Sequence, residues 1–372
     1  MGVIGPWNFP ITLVVHPAAE AIAAGNRVMI KFSDGDVRTG EVFAKAIAKH
    51  FDPSEVAVVL GGVELSAAFS ALPFNHLMFT GSPGVGKLVQ KAAAENLTPV
   101  TLELGGKNPV VVGHDAVLSD TAVRLAGSRL ANGGQFCLGP DYVFVPRAGL
   151  DELVNKTQQA FVDFFPEYAT DPGVTSVINE KNFDRITGLI DDAIAKGAKA
   201  VLGVPEGDHT ALPDRSTRRI PPTILLNVTD DMRIAHEEIF GPVIVVFPYD
   251  DIKEAIAYVN HRPSPLAAYW YGDDSDDFRE FRRCTASGGM ARNDFAVQIF
   301  LPDVPFGGIG QSGMGAYHGK AGFDTFSHKR AITNSLLPVP YSVQSVTFTE
   351  EGLSQTRKLI ASVLDEVNTR LK

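Results

Sequence analysis

Cysteine is scarce. The 372 residues hold two, Cys137 and Cys284, far apart in the chain. That excludes a disulfide scaffold, and a chain of this length can bury well over half its surface without one. The same usage fits a reducing compartment, so an intracellular, cytoplasmic protein is expected. Long apolar runs are missing too: the aliphatic stretches are short, as in Val56–Leu60, far below the roughly 20 residues of a membrane span. Met1–Pro10 carries no basic segment of a secretory leader. Nor is there a Lys/Arg block. With 33 basic against 43 acidic side chains the formal net charge is −10, which argues against nucleic acid as the main partner. The nine histidines form neither H-E-x-x-H nor a cysteine-paired ligand spacing, and no metal site is supported. Internal repeats and low-complexity segments are absent. The length suits two domains, possibly a third.

What is there is alternation. Val28–Phe32, Val56–Leu60, His76–Thr80 and Val100–Leu104 read as strands, with helical spacing over Arg38–Phe51 and Val85–Leu97 between them. A second series places strands at Tyr142–Pro146, Ala200–Val204, Val243–Pro248 and Ala267–Tyr271. Its helices fall near Thr121–Leu130, Leu150–Phe165, Lys181–Lys196 and Ile252–Asn260. Almost continuously apolar strands separated by helices indicate parallel sheets covered on both faces, an α/β fold with two sheets. The boundary between the series falls just after Val100–Lys107. Gly203–Pro222 reads as a surface loop, and about Glu351–Leu371 as a peripheral helical arm.

Two glycine-rich segments invite a phosphate reading. Gly81–Lys87 fits G-x-x-x-x-G-K after a strand and before a helix, but Leu88 stands where a magnesium-binding hydroxyl is required. An ordinary strand–helix turn and a seat for a dinucleotide pyrophosphate both remain open on these residues. Gly308–Gly313 matches G-x-G-x-x-G literally, yet it follows a proline-interrupted segment and precedes no helix pattern. It reads as a tight loop.

Three residues stand out as chemistry. Cys137 ends Asn132-Gly133-Gly134-Gln135-Phe136-Cys137, where a glycine pair makes the backbone approachable; a lone cysteine is more often a small core residue, as Cys284 is read here. Glu103 interrupts the apolar strand Val100–Leu104. Burial would raise its pKa toward a general base's range, and an edge-strand glutamate facing water is the plainer alternative. Asn8 is clamped in Gly5-Pro6-Trp7-Asn8-Phe9-Pro10, a rigid mount for an oxyanion donor, or else a turn residue satisfying local backbone. His236 beside Glu237 and Glu238 reads as a solvated or packing cluster.

The ordered series of motifs resembles the aldehyde dehydrogenase superfamily over nearly the whole chain. It comprises Pro6–Pro10, Ala23–Asn26, Phe79–Ser82, Leu102–Pro109, Gly134-Gln135 with Cys137, Glu237–Pro242 and Pro305–Gly308. Leu72–His76, Pro140–Val143 and Gly315–Gly319 look most like the coniferyl aldehyde dehydrogenase branch. The resemblance implies a Rossmann-type NAD(P)-binding domain over 1–106, a catalytic domain over 107–317, and a return segment and arm over 318–372. It implies NAD- or NADP-dependent oxidation of an aldehyde to its acid. Cys137 would be the nucleophile, Asn8 the oxyanion donor, and Glu103 the base that activates water for thioester hydrolysis. Trp7, Lys31, Asp34, Gly81, Ser82, Gly86, Glu238 and Phe240 would bind the cofactor. Glu103 argues against a CoA-acylating relative, in which a thiol resolves the thioester. Phe295, Phe300 and Tyr317 suggest aromatic or medium-chain apolar aldehydes. Asp34, one methylene shorter than the usual glutamate, suggests NAD use with appreciable NADP activity. Phe32 and Gly133-Gly134-Gln135-Phe136 also depart from the family pattern. Matching begins at Pro6, so the family's N-terminal helices, opening strands and oligomerisation ribbon are expected to be absent. A truncated, non-catalytic relative with impaired cofactor binding is the alternative; a homodimer is the expected assembly if that segment is dispensable.

Overall fold

The computed structural model describes residues 1–334 and 349–371. The first half runs β1 (Gly2–Ile4), α1 (Thr12–Ala23), β2 (Val28–Lys31), α2 (Val37–His50), β3 (Val56–Val59), α3 (Val63–Ser70), β4 (Leu77–Gly81), α4 (Pro83–Ala94) and β5 (Val100–Leu104). Next come β6 (Asn108–Val112), α5 (Leu118–Leu130), β7 (Pro140–Pro146), α6 (Leu150–Phe164), α7 (Glu180–Ala195), β8 (Lys199–Leu202) and β9 (Thr223–Leu226). Then follow β10 (Val243–Tyr249), α8 (Ile252–Asn260), β11 (Ala267–Tyr271), α9 (Asp276–Cys284), β12 (Gly289–Arg292), β13 (Gly313–Met314), α10 (Gly319–Thr325) and α11 (Glu350–Arg370).

Six strands make one sheet in the order β13-β5-β4-β1-β2-β3, and seven make the other, β12-β11-β6-β7-β10-β9-β8. Apart from the antiparallel pairs β13–β5 and β8–β9, neighbours run parallel. Parallel strands need crossovers that cover both faces, so their residues face core on either side. Val3, Leu77, Met78, Val110, Val111 and Val143 accordingly have no exposed surface. In the first sheet the chain moves outward from β1 through β2 and β3, then returns to β4 on the other side of β1. The strand order therefore reverses between β1 and β4, and a crevice opens beyond their carboxyl ends, as open α/β sheets require. Pro6–Asn8 follow β1, and Gly81–Ser82 lie at the carboxyl end of β4. Both segments line that crevice.

The sheets change over between Leu104 and Asn108. The G-x-G-x-x-G segment is a tight loop that leads into β13, whose Gly313 pairs with Glu103. Gly203–Pro222 departs from the surface-loop expectation: Val204, Leu212 and Ile220 are buried, and Val204 and Leu212 pack with Tyr168 and Val174 in a small satellite core. Met1–Ser327 forms one compact unit; His328 onward forms another. In the second, α11 has no buried residue. The 335–348 part of the expected return segment lies outside the described residues. No helix among the described residues is long and apolar enough to cross a membrane.

Candidate active site

Cys137 follows a backbone that few sequences could adopt. Asn132, Gly133 and Gly134 take φ of 51°, 62° and 73°, a left-handed run ending α5. A Cβ at Gly134 would lie 2.1 Å from the Gly241 carbonyl oxygen, so glycine lets this loop pack directly on the 234–241 segment. Three amides fix the loop. Asn108 Nδ2 donates to the Cys137 carbonyl at 2.7 Å, Gln135 Oε1 accepts from the Ile178 N–H at 2.8 Å, and Asn8 Nδ2 donates to the Gln135 carbonyl at 3.0 Å. Asn8 thus spends one N–H on positioning the nucleophile's loop; the other is not bonded within this set. Phe9 packs on Phe136 at 4.7 Å, which joins two motifs far apart in the sequence.

Cys137 is half-buried, and burial together with Glu238 and Glu103 pushes its thiol up to about 12. Glu103 is 3% exposed, and neither carboxyl oxygen has a hydrogen-bond partner among the described residues. Burial holds its pKa well above the ordinary carboxylate range. The edge-strand reading is corrected, because β13 covers that side of β5. Glu238 rests on the Gly105-Gly106 turn, where a Cβ at Gly105 would come within 2.2 Å of its Oε2. Burial, then Asp141, raises Glu238 to about 8 against the opposing pull of the Gly106 N–H, Lys107 and Arg185.

A cavity of about 870 Å³ collects these groups. Trp7, Asn8, Gly81, Ser82, Glu103, Cys137, Glu238 and Phe240 all line it. Trp7 and Phe240 meet edge-to-face at 5.6 Å. Ser82 caps α4, its Oγ accepting from the Val85 N–H at 3.5 Å. Lys31, Asp34 and Gly86 stand outside that lining. Lys31 is 1% exposed and donates to the Phe32 carbonyl at 2.5 Å; Asp34 lines a separate recess of about 290 Å³ with Phe32, Leu60 and Gly61; Gly86 packs under Leu104. Of the three expected substrate aromatics, Tyr317 lines the cavity, Phe300 is 75% exposed, and Phe295 packs on Phe136 at 5.1 Å. Phe306, from the Pro305–Gly308 motif, joins Tyr317 on the wall.

The aldehyde dehydrogenase family profile matches residues 1–332. The chain belongs to the aldehyde dehydrogenase family. It is 47% identical over 332 residues to the probable coniferyl aldehyde dehydrogenase of Pseudomonas aeruginosa, covering 89% of this chain and 68% of that protein. It is 40% identical over 337 residues to the dimeric NADP-preferring aldehyde dehydrogenase of Rattus norvegicus, covering 90% and 72%. Among solved structures, the Mycobacterium tuberculosis aldehyde dehydrogenase complexed with NAD+ superposes with a TM-score of 0.75 at 32% identity, covering 87% and 67%. The activity is NAD(P)-dependent aldehyde oxidation.

A titration follows from the thiol's surroundings. At a pKa of about 12 the thiolate fraction rises tenfold per pH unit throughout the neutral range. In a Cys284→Ser background without cofactor, alkylation of Cys137 by iodoacetamide should therefore accelerate about tenfold per unit from pH 6 to 7.5. That window lies below the midpoint of the Glu238 titration, about 8. A rate that levels off inside it would show a thiolate already formed at rest.

Proposed function

We propose that the chain oxidises an aromatic or medium-chain apolar aldehyde, coniferyl-aldehyde-like, to its carboxylic acid through a covalent adduct on Cys137. The observation that carries the reading is the pairing of a half-buried thiol with a buried carboxyl that has no hydrogen-bond partner among the described residues, both lining one cavity. A structural carboxyl would be satisfied; an unsatisfied one at a nucleophile is available to a proton.

The crevice suits a dinucleotide. It lies at the switch point of a parallel sheet, and the first turn of α4 opens onto it. A Cβ at Gly84 would meet nothing within 4 Å, so the turn's backbone is open to a ligand. Gly81 and Ser82 would hold the diphosphate, Glu238 and Phe240 the nicotinamide ribose and ring, and Trp7 the wall between. Lys31 and Asp34 would serve the adenosine end. NAD or NADP, when bound, supplies the hydride acceptor that turns the Cys137 adduct into a thioester. The rest falls to this chain's side chains. Sγ gives its proton up to solvent and attacks the aldehyde carbon, and the carbonyl oxygen becomes an oxyanion facing the Cys137 N–H and the second N–H of Asn8. Later Glu103 takes a proton from water, the hydroxide adds to the thioester carbon, and the C–S bond breaks. The proton on Glu103 then restores the thiol.

Substrate preference tests the proposal. Burying an aromatic ring against Tyr317 and Phe306 is worth about 1.5–3 kcal/mol, or roughly 10–150-fold. Coniferyl aldehyde should exceed acetaldehyde in kcat/KM by that factor, with NAD as acceptor and appreciable activity with NADP. A preference for acetaldehyde refutes the substrate class; NAD preference beyond about a thousandfold, over 4 kcal/mol, shows that Asp34 excludes the 2′-phosphate.

A further inference from the structure

Behind Glu238 the protein concentrates charges that the reaction itself does not use. Asp141, in β7, is 1% exposed. One of its oxygens pairs with Lys107 Nζ, and the other accepts from the Ile239 N–H at 2.9 Å. Lys107 spends its remaining donors on the carbonyls of Ile234 at 2.9 Å and Glu237 at 3.0 Å. From α7, Arg185 donates to the carbonyls of Glu238 at 2.9 Å and Ile239 at 2.7 Å. From α5, Arg129, 2% exposed, reaches the carbonyls of Pro140 and Gly241. The segment from Ile234 to Gly241 is thus gripped through its backbone by side chains from β7, α5, α7 and the β5–β6 turn.

That grip has an identifiable purpose. Burying such charges is costly, and hydrophobic packing would hold a merely structural loop as well. Phe240 lies inside the gripped segment with φ of 50°, a left-handed conformation that a bulky residue adopts only when its surroundings impose it. Its neighbour Glu238 faces the cavity beside it. We propose that Asp141, through Lys107 and the Ile239 N–H, is a positioning residue that sets Glu238 and Phe240 for the nicotinamide half of NAD or NADP, with Arg185 as its partner from α7. The inference rests on the reading of Glu238 and Phe240 given above.

Charge supplies a readout that a structural role would not move. The groups around the Glu238 carboxyl are Asp141, Lys107, Arg185, Arg129 and the Cys137 thiol. Asp141 raises Glu238 and Arg185 lowers it, so the two substitutions displace its titration in opposite directions. NAD binding is followed by quenching of tryptophan fluorescence, Trp7 lying 5.6 Å from Phe240. In Asp141→Asn the Kd for NAD should rise at least about fivefold, and the pH dependence of binding, centred near 8 in the parent, should move to lower pH. In Arg185→Met, Kd should also rise severalfold, while the pH dependence moves upward. Parent Kd and parent pH dependence in a folded Asp141→Asn protein overturn the proposal. If that variant does not fold, unchanged binding by Arg185→Met overturns it instead. Glu238→Gln separates the two layers. If it abolishes the pH dependence while Asp141→Asn leaves it in place, positioning fails and the role of Glu238 stands; if it alters nothing, both fail.

Discussion

Replacing Cys137 by alanine is expected to lower kcat for aldehyde oxidation by at least about 10⁴-fold, the scale of losing a covalent nucleophile. The fold should tolerate the change. The Cys137 loop is fixed through its backbone and neighbours: Asn108 holds the Cys137 carbonyl, Gln135 binds the Ile178 N–H, and Gly134 packs on Gly241. Alanine keeps the Cβ and removes only the sulfur. Cofactor binding, read by tryptophan fluorescence, should therefore stay near that of the parent while turnover disappears. Cys284 gives the contrast. It closes α9 with its side chain exposed, and Cys284→Ala should leave kcat within about twofold, as surface substitutions generally do. A Cys137→Ala protein that oxidises aldehydes at the parent rate would remove the thiol from the mechanism.

Most of the sheet architecture was legible because parallel strands bury both faces and read as unbroken apolar runs. Val100–Leu104, Ala267–Tyr271 and Ile252–Asn260 have the bounds that periodicity assigns them. Three of the elements that escaped have a local physical reason. α1 holds Pro17 in its interior, which breaks the helical reading although the helix continues through it. β6 contains Pro109 at a register shift, and β1 is three residues long. In the site, Glu103 was visible as a carboxylate inside an apolar strand. The same criterion singles out Asp141, an acid in a seven-residue strand buried at every position, yet the sequence reading used it only as a mark of resemblance. Its partner Lys107 lies 34 positions away and Arg185 44, so the ion pair and the shared grip on Ile239 exist only after folding. Lys31 is the opposite case. Only its place in a matched motif points to the cofactor, and its Nζ donates to the Phe32 carbonyl.

The Glu103→Gln variant should separate the two halves of the reaction. Glu103 is assigned to hydrolysis, so the first turnover needs only Cys137 and the cofactor. Mixed with aldehyde and NAD, the variant should give a burst of reduced cofactor close to one per site, then a steady-state rate lower by about 10²–10⁴-fold, the range of a lost general base. Glutamine is an apt replacement here. Burial raises the Glu103 pKa well above the ordinary carboxylate range, and the amide matches the acid form in shape and neutrality. Two pH effects follow from that raised pKa. The base form of Glu103 grows as pH rises, so the parent's steady-state rate should climb with pH along a limb that the variant lacks. Stability runs the other way: a group that holds its proton more tightly folded than unfolded weakens the fold as pH climbs from the unfolded pKa, near 4.5, toward the folded one. Between pH 5 and 9 the parent should therefore lose more in Tm than Glu103→Gln. Equal loss of burst and steady state would mean that Glu103 acts before acylation or merely supports the fold. An unchanged Tm difference across that pH range would mean that its carboxyl is already ionised in the folded protein.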